Sequence, residues 1–234
     1  MALPAGRTAA VDASRIADNV RRVQARIAGA AHAAGRDPSE ITLVAVSKTF
    51  TAEHIRAAHA AGLRDFGENW VQEAGEKIPL LADLDPRPIW HMIGHLQSNK
   101  VKAVLGLFDI IHGVDSVRLA QNIAGRVTEG RFSVLLEVNA ARESSKFGFD
   151  PEAVAAAAET IRSLPGLDLA GLMTVASLSA DPEEARAVFR QLRELRDRLG
   201  LRHLSMGMTD DFEVAIQEGA TMVRIGRAIF GERT

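Results

Sequence analysis

Lys48 stands just past a run, 41–46, in which nearly every residue is apolar. Such a run reads as a strand buried on both faces. The amine would then sit at a strand end beside low-dielectric walls. Desolvation there favours the neutral amine, which can condense with an aldehyde to a Schiff base. A lysine reaching from a strand end into solvent is the other reading of the same position. Farther on, Ser205, Gly207 and Thr209 follow one short β-like run, and Gly226 follows another. Tips of this kind hold phosphate through backbone N–H groups, with hydroxyls as added donors. The same glycines also serve tight turns, and Thr209 or Asp210 suits the cap of the next helix. His91 and His95 have the i, i+4 spacing of two metal ligands on a helix. Gly94 interrupts them, the segment reads as strand into loop, and no acidic residue lies between, so hydrogen-bonding histidines are the preferred reading.

Composition narrows the chemistry. The 234 residues include no Cys and no Tyr, which excludes a thiolate nucleophile, Cys-ligated metals, disulfides and any phenol acting as acid or base. Lys+Arg 28 against Asp+Glu 30 leaves a net charge of −2, with no basic field for nucleic acid. No apolar stretch approaches the length of a membrane span. The first residues lack a continuous apolar core, so a secretory signal is not expected and a cytoplasmic location is.

Strand-like runs alternate with amphipathic helical stretches, the pattern of a parallel sheet wrapped by helices. Strands are expected at 41–46, 64–66, 89–93, 108–114, 132–138, 167–175, 202–206 and 221–225. Helices are expected at 52–62, 69–83, 98–106, 116–129, 151–163, 182–199 and 210–219. An additional N-terminal helix at 12–34 carries Ile16, Val20, Val23, Ile27 and Ala31 on one face. In 182–199, acids crowd the start, arginines the end, and Val188, Leu192 and Leu195 are expected to point inward. Eight strand–helix units make a single α/β domain over 1–234, a (β/α)8 TIM barrel with the 12–34 helix packed on it. A doubly wound sheet is the alternative, but no G-x-G-x-x-G follows the first strand. Lys48, Asn69, Thr174, Ser205, Thr209, Arg224 and Gly226 all fall at or near strand C-termini, the face where barrels carry chemistry.

The segments LVAVSKTF, DFGENWVQEAGEK, WHMIGHLQSNKVK, VDSVRLA, LLEVNAARESSKFGF, GLMTVAS, LSMGMTDDFEVAI and VRIGRAIFGER run in order along nearly the whole chain. Together they resemble the YggS/PROSC family of pyridoxal 5′-phosphate (PLP) homeostasis proteins, which is similar in fold to the N-terminal barrel of alanine racemase. The resemblance implies that Lys48 forms the Schiff base with PLP. It implies that Ser205 and the backbone around Gly226 and Arg227 hold the phosphate, and that Arg224 lies near the pyridine nitrogen. Asn69 matches a motif position beside the cofactor, and His91, Met173 and Lys146 match further motif positions. With Gly207 and Thr209 added from the phosphate-type tip, these residues other than Lys146 are the expected cofactor-binding set; whether Lys146 offers a second PLP site stays open. Thr209 stands where related chains have serine, and Trp70 where they have tyrosine.

A cationic arginine beside a pyridine nitrogen disfavours its protonation and weakens the ring as an electron sink. Racemisation needs a proton-transfer group on each face of the substrate, and the phenol that alanine racemase places on one face has no equivalent here. The expectation is a PLP-binding protein that buffers or carries the cofactor in vitamin B6 homeostasis, without efficient catalysis. Apo forms of PLP-dependent enzymes are the expected recipients, and a monomer the expected state. The alternative is a weakly active PLP-dependent racemase or lyase on amino acids. A cofactor-free Schiff-base aldolase explains Lys48 but gives the glycine-rich tip and Arg224 no role.

Overall fold

The computed structural model describes residues 11–143, 146–177 and 181–232. Eight parallel strands run β1 (Thr42–Val46), β2 (Asp65–Glu68), β3 (Ile89–Met92), β4 (Ile110–Val114), β5 (Phe132–Glu137), β6 (Leu167–Met173), β7 (His203–Ser205) and β8 (Met222–Ile225). They close in sequence order, β8 pairing back onto β1 with Thr42 opposite Met222 and Ala45 opposite Ile225. The expected (β/α)8 barrel is therefore the fold.

Helices α1 (Ala13–Ala33), α2 (Ala52–Ala60), α3 (Val71–Lys77), α4 (Val101–Leu107), α5 (Val117–Ala124), α6 (Val154–Arg162), α7 (Arg186–Leu199), α8 (Phe212–Gln217) and α9 (Arg227–Phe230) surround it. Four details differ from the sequence expectation. The 69–83 helix breaks into α3 and a 3-10 turn, Ile78–Leu81, because Pro79 has no N–H to continue the ladder. The 182–199 stretch opens as a 3-10 turn capped by Asp181, and α7 buries Phe189 with Leu192 and Leu195 while Val188 is only half-buried. The larger side chain takes the inward position. The helix expected from 210 starts at Phe212, with Asp211 as its cap residue in place of Thr209 or Asp210. The short α9 was not expected.

Helix α1 forms because its apolar residues recur on one face, and Asp12 caps it by accepting from Arg15 N at 3.0 Å. It packs across α2, α8 and α9, binding the chain's beginning to its end. Asn19 Nδ2 donates to Ile229 O at 2.9 Å, and the Arg26 guanidinium clasps Glu213 while lying 4.5 Å over the Phe212 ring.

Strand side chains alternate between the barrel interior and the helix layer. Leu135, Ala170, Met173 and Met222 form a small inner cluster, separate from the large core beneath the helices. Two residues beyond Met222 and beyond the neighbouring Ile110, the same inward row carries Arg224 and His112. Among the described residues no helix is long and apolar enough to cross a membrane.

Ile27→Ala removes a buried side chain from the face of α1 that packs on the barrel. It should lower the unfolding free energy by about 2–5 kcal/mol, read as a shift in urea midpoint at constant slope.

Candidate functional site

A cleft of about 370 Å³ opens at the C-terminal ends of the strands. Lys48, Asn69, Thr209, Arg224, Gly226 and Arg227 line it, with Val46, Ile93, Val175 and Met208 as apolar walls. A second hollow of about 250 Å³ shares Lys48, Gly226 and Arg227 with it. The sequence thus places six expected residues around one cavity. The other four lie elsewhere. Met173 belongs to the inner apolar cluster, and His91 is buried within the barrel. Ser205 is buried too, and its hydroxyl is held by Arg224 and His112, so the hydroxyl on the cleft wall is that of Thr209. Gly207 sits at φ +91°, and a Cβ there would come within 2.6 Å of the Ala215 Cβ, so it serves the packing of α8.

The turn bearing Lys48 is clamped from outside the barrel. Glu68 is the last residue of β2 and points outward, where Lys77 of α3 meets it at 2.6 Å. The Lys77 ammonium also donates to Ser47 O at 2.9 Å, Phe50 O at 3.1 Å and Glu73 Oε1 at 2.8 Å. Ser47 Oγ donates to Glu68 at 2.7 Å, and Thr49 N donates to Glu73 at 2.6 Å. Ser47, Thr49 and Phe50 are therefore all held, and Thr49 is kept at φ +71°, a conformation a β-branched residue rarely adopts. Burial raises the Glu68 carboxyl above its ordinary range, with Lys77 and Ser47 opposing that rise.

Arg224 comes from inside. Its Nη1 donates to Ser205 Oγ at 2.5 Å and its Nη2 to Thr174 O at 2.9 Å. Burial brings its pKa down to about 10, opposed by the charges of Glu137 and Asp211. Glu137, at the inward end of β5, is pushed up to about 7 by burial and by neighbouring Asp115, with Arg224 partly offsetting both. Arg227 is exposed at the rim and paired with Asp210 at 2.5 Å. Asn69 presents a buried carbonyl oxygen with no hydrogen-bond partner. Gly94 lets the main chain of Asn69 pack against it, because a Cβ there would lie 2.4 Å from the Asn69 backbone oxygen.

His91 and His95 diverge. His91 bonds His112 and Asp65 in the interior, while His95 pairs with Asp115 at 3.1 Å and stacks on Phe147 at 3.9 Å. Lys146 reaches Glu143 at 2.8 Å and Val175 O at 3.3 Å, beside the cleft wall. Sequence reasoning missed Glu68, Lys77, His112 and Glu137. For His112 and Glu137 the available signal was a polar residue alternating with apolar ones inside a strand.

A closed parallel barrel with a strand-end lysine and a buried arginine at one cleft defines a protein of the alanine racemase barrel class. The family model for the alanine racemase N-terminal domain matches residues 11–234. The pyridoxal phosphate homeostasis protein of Pseudomonas aeruginosa is 50% identical over 224 residues, spanning 94% of this chain and 96% of that protein. PipY of Synechococcus elongatus, solved with PLP bound, is 37% identical with a TM-score of 0.80 over 92% of this chain and 100% of its own. Alanine racemase of Corynebacterium glutamicum, 18% identical, shares the fold over 95% of this chain and 61% of its own with a TM-score of 0.69. The chain belongs to the pyridoxal phosphate homeostasis protein family.

Lys77→Met strands a buried carboxylate and should cost about 3–5 kcal/mol in urea unfolding, with Glu68→Gln in the same chain recovering most of it. For Glu137, the folded protein binds the proton more tightly than the unfolded chain. Its contribution to stability is therefore greatest below about pH 4.5 and declines as pH rises through about 7. Glu137→Gln should remove that decline, so the variant gains on the parent at pH 8 by roughly 3 kcal/mol but not at pH 4.

Proposed function

We propose that this protein holds pyridoxal 5′-phosphate in the barrel-mouth cleft as a Schiff base on Lys48, and serves as an intracellular buffer or carrier of the cofactor. The observation that carries the reading is the convergence of Lys48 and Arg224 on one cleft, in a chain whose relative PipY was solved with PLP bound. The donor set fits the group. Lys48 offers an amine, Thr209 a hydroxyl, Gly226 and Arg227 a rim where a phosphate is accommodated, and Asn69 a side-chain amide on the same wall.

When bound, PLP supplies an aldehyde that condenses with an amine and a ring that accepts electron density. The chain's own residues do the rest. The Glu68–Lys77–Glu73 clamp holds the turn of Lys48, so the amine is presented with little freedom to lose. Arg224 directs a cation at the ring side of the cleft, which opposes protonation of a pyridine nitrogen there. Arg227 at the open rim can exchange Asp210 for a phosphate, which suits a group that must also leave. Weak catalysis is disfavoured by the same features: His91 is engaged inside the barrel, and the chain has no tyrosine to act on the second face. Apo forms of PLP-dependent enzymes are the proposed recipients, with the protein a cytoplasmic monomer.

Borohydride reduction of the PLP-treated protein, followed by peptide mass mapping, should give a phosphopyridoxyl adduct on Lys48 that Lys48→Ala lacks. No adduct, or one confined to other lysines, overturns the assignment. Measurable turnover of any of a panel of amino acids would replace the carrier with an enzyme.

A further inference from the structure

Below Arg224 the barrel is filled by one continuous row of polar side chains. Arg224 Nη1 is 2.5 Å from Ser205 Oγ, and Ser205 Oγ is 2.8 Å from His112 Nδ1. His112 Nε2 is 2.9 Å from His91 Nδ1, and His91 Nε2 is 2.9 Å from Asp65 Oδ1. Five adjacent or facing strands contribute one residue each: β8, β7, β4, β3 and β2. Ser205, His91 and His112 are wholly buried, Arg224 nearly so, and Asp65 is 22% exposed at the start of β2, the end of the barrel opposite the cleft.

The direction of the row follows from valence. The Asp65 carboxylate only accepts, so His91 carries its proton on Nε2, and a neutral His91 then accepts at Nδ1. His112 therefore donates from Nε2, leaving its Nδ1 to accept from Ser205, whose oxygen accepts from Arg224. Every bond points away from the cleft. The reversed arrangement would need His91 to donate from both ring nitrogens, which makes it an imidazolium inside the barrel. Burial holds His112 far below the ordinary histidine range, reinforced by His91, Arg224 and His203, in keeping with a neutral ring. Glu137 and Asp211 are the acids facing Arg224.

We infer that His112 and His91 are positioning residues for the cofactor's ring: with Ser205 they hold the Arg224 guanidinium at the cleft in one orientation and tie it to Asp65 at the far end of the barrel. The inference rests on the PLP reading of the cleft. Without the row, the Ser205 proton has no acceptor and its hydroxyl can turn, so the Arg224 Nη1 bond loses its fixed direction while Thr174 O still holds Nη2.

The test has two parts. In the protein without PLP, nitrogen NMR of labelled histidines at pH 7 should show His91 and His112 neutral, each with its proton on Nε2. A proton on Nδ1 of either ring, or an imidazolium, overturns the row. In the PLP-loaded protein, His112→Leu should weaken PLP binding about tenfold, the size of one charge-assisted hydrogen bond, and shift the absorption band of the bound cofactor. His112→Gln, whose amide carries an acceptor and a donor, should recover much of both. Parental affinity and band position in His112→Leu overturn the positioning role. Asp65→Asn, which keeps the side chain's size and an acceptor oxygen for His91 while removing the charge, should move the band in the same direction as His112→Leu, and an unmoved band overturns the tie to the far end. Failure of the parent protein to bind PLP would sink the functional reading while leaving the histidine NMR signals to decide the row, so the two failures are distinguishable.

Discussion

A guanidinium enclosed on all sides is tolerated only where acceptors meet it, because the loss of hydration is otherwise uncompensated. Arg224 imposes that condition on the barrel. Its two acceptors are a backbone carbonyl from the end of β6 and a hydroxyl from the end of β7, so the upper rims of three strands are fixed relative to one another by one side chain. The condition then propagates. The buried Ser205 hydroxyl has a proton of its own to place, His112 accepts it, and the need for an acceptor passes from ring to ring until a carboxylate ends it at the bottom. The interior of this barrel is thus divided between a small apolar cluster, containing Leu135, Met173 and Met222, and a polar row set by charge.

A second buried cation does the matching work on the other side of the wall. Lys77 lies between β2 and α3, where Glu68 and two main-chain carbonyls of the Lys48 turn converge on it. Arg224 organises the floor of the cleft from within, and Lys77 fixes its lysine from without. Neither cation needs to touch a ligand through that part of its role. Both hold the cleft's walls in place, while the Arg227–Asp210 pair lies exposed at its rim. A rigid anchor with an exchangeable edge is what a protein needs if it is to hold a cofactor covalently and still release it.

Much of the frame was legible from the residues. Buried parallel strands read as apolar runs, the helices between them keep a 3.6-residue period, and chemistry in this fold collects at strand ends, so Lys48, Asn69, Thr209, Arg224 and Gly226 could be gathered from the residues, with Arg227 added by the family resemblance. The inward faces were less so. A strand covered on both faces shows little alternation in its hydrophobicity, so only an isolated polar residue such as His112 or Glu137 marks the face that looks into the barrel. Ser205, from its phosphate-type tip, and His91, from its motif position, were grouped with the cofactor residues, and neither signal says that the side chain is buried in the barrel interior. Val188 was preferred over Phe189 because both fit a helical stripe, and only the space available beneath α7 decides between them.

The sequence by itself determined the parallel barrel, the family, and the identity of the strand-end lysine, because these depend on local periodicity and on short contiguous motifs. The tertiary structure decided how the charges are satisfied. Glu68 with Lys77, and Arg224 with Ser205, His112, His91 and Asp65, are partners drawn from separate strands and helices. Their meeting depends on the closure and register of the barrel, through which a buried charge must find its counterpart at hydrogen-bond distance, and no spacing along the chain encodes that distance.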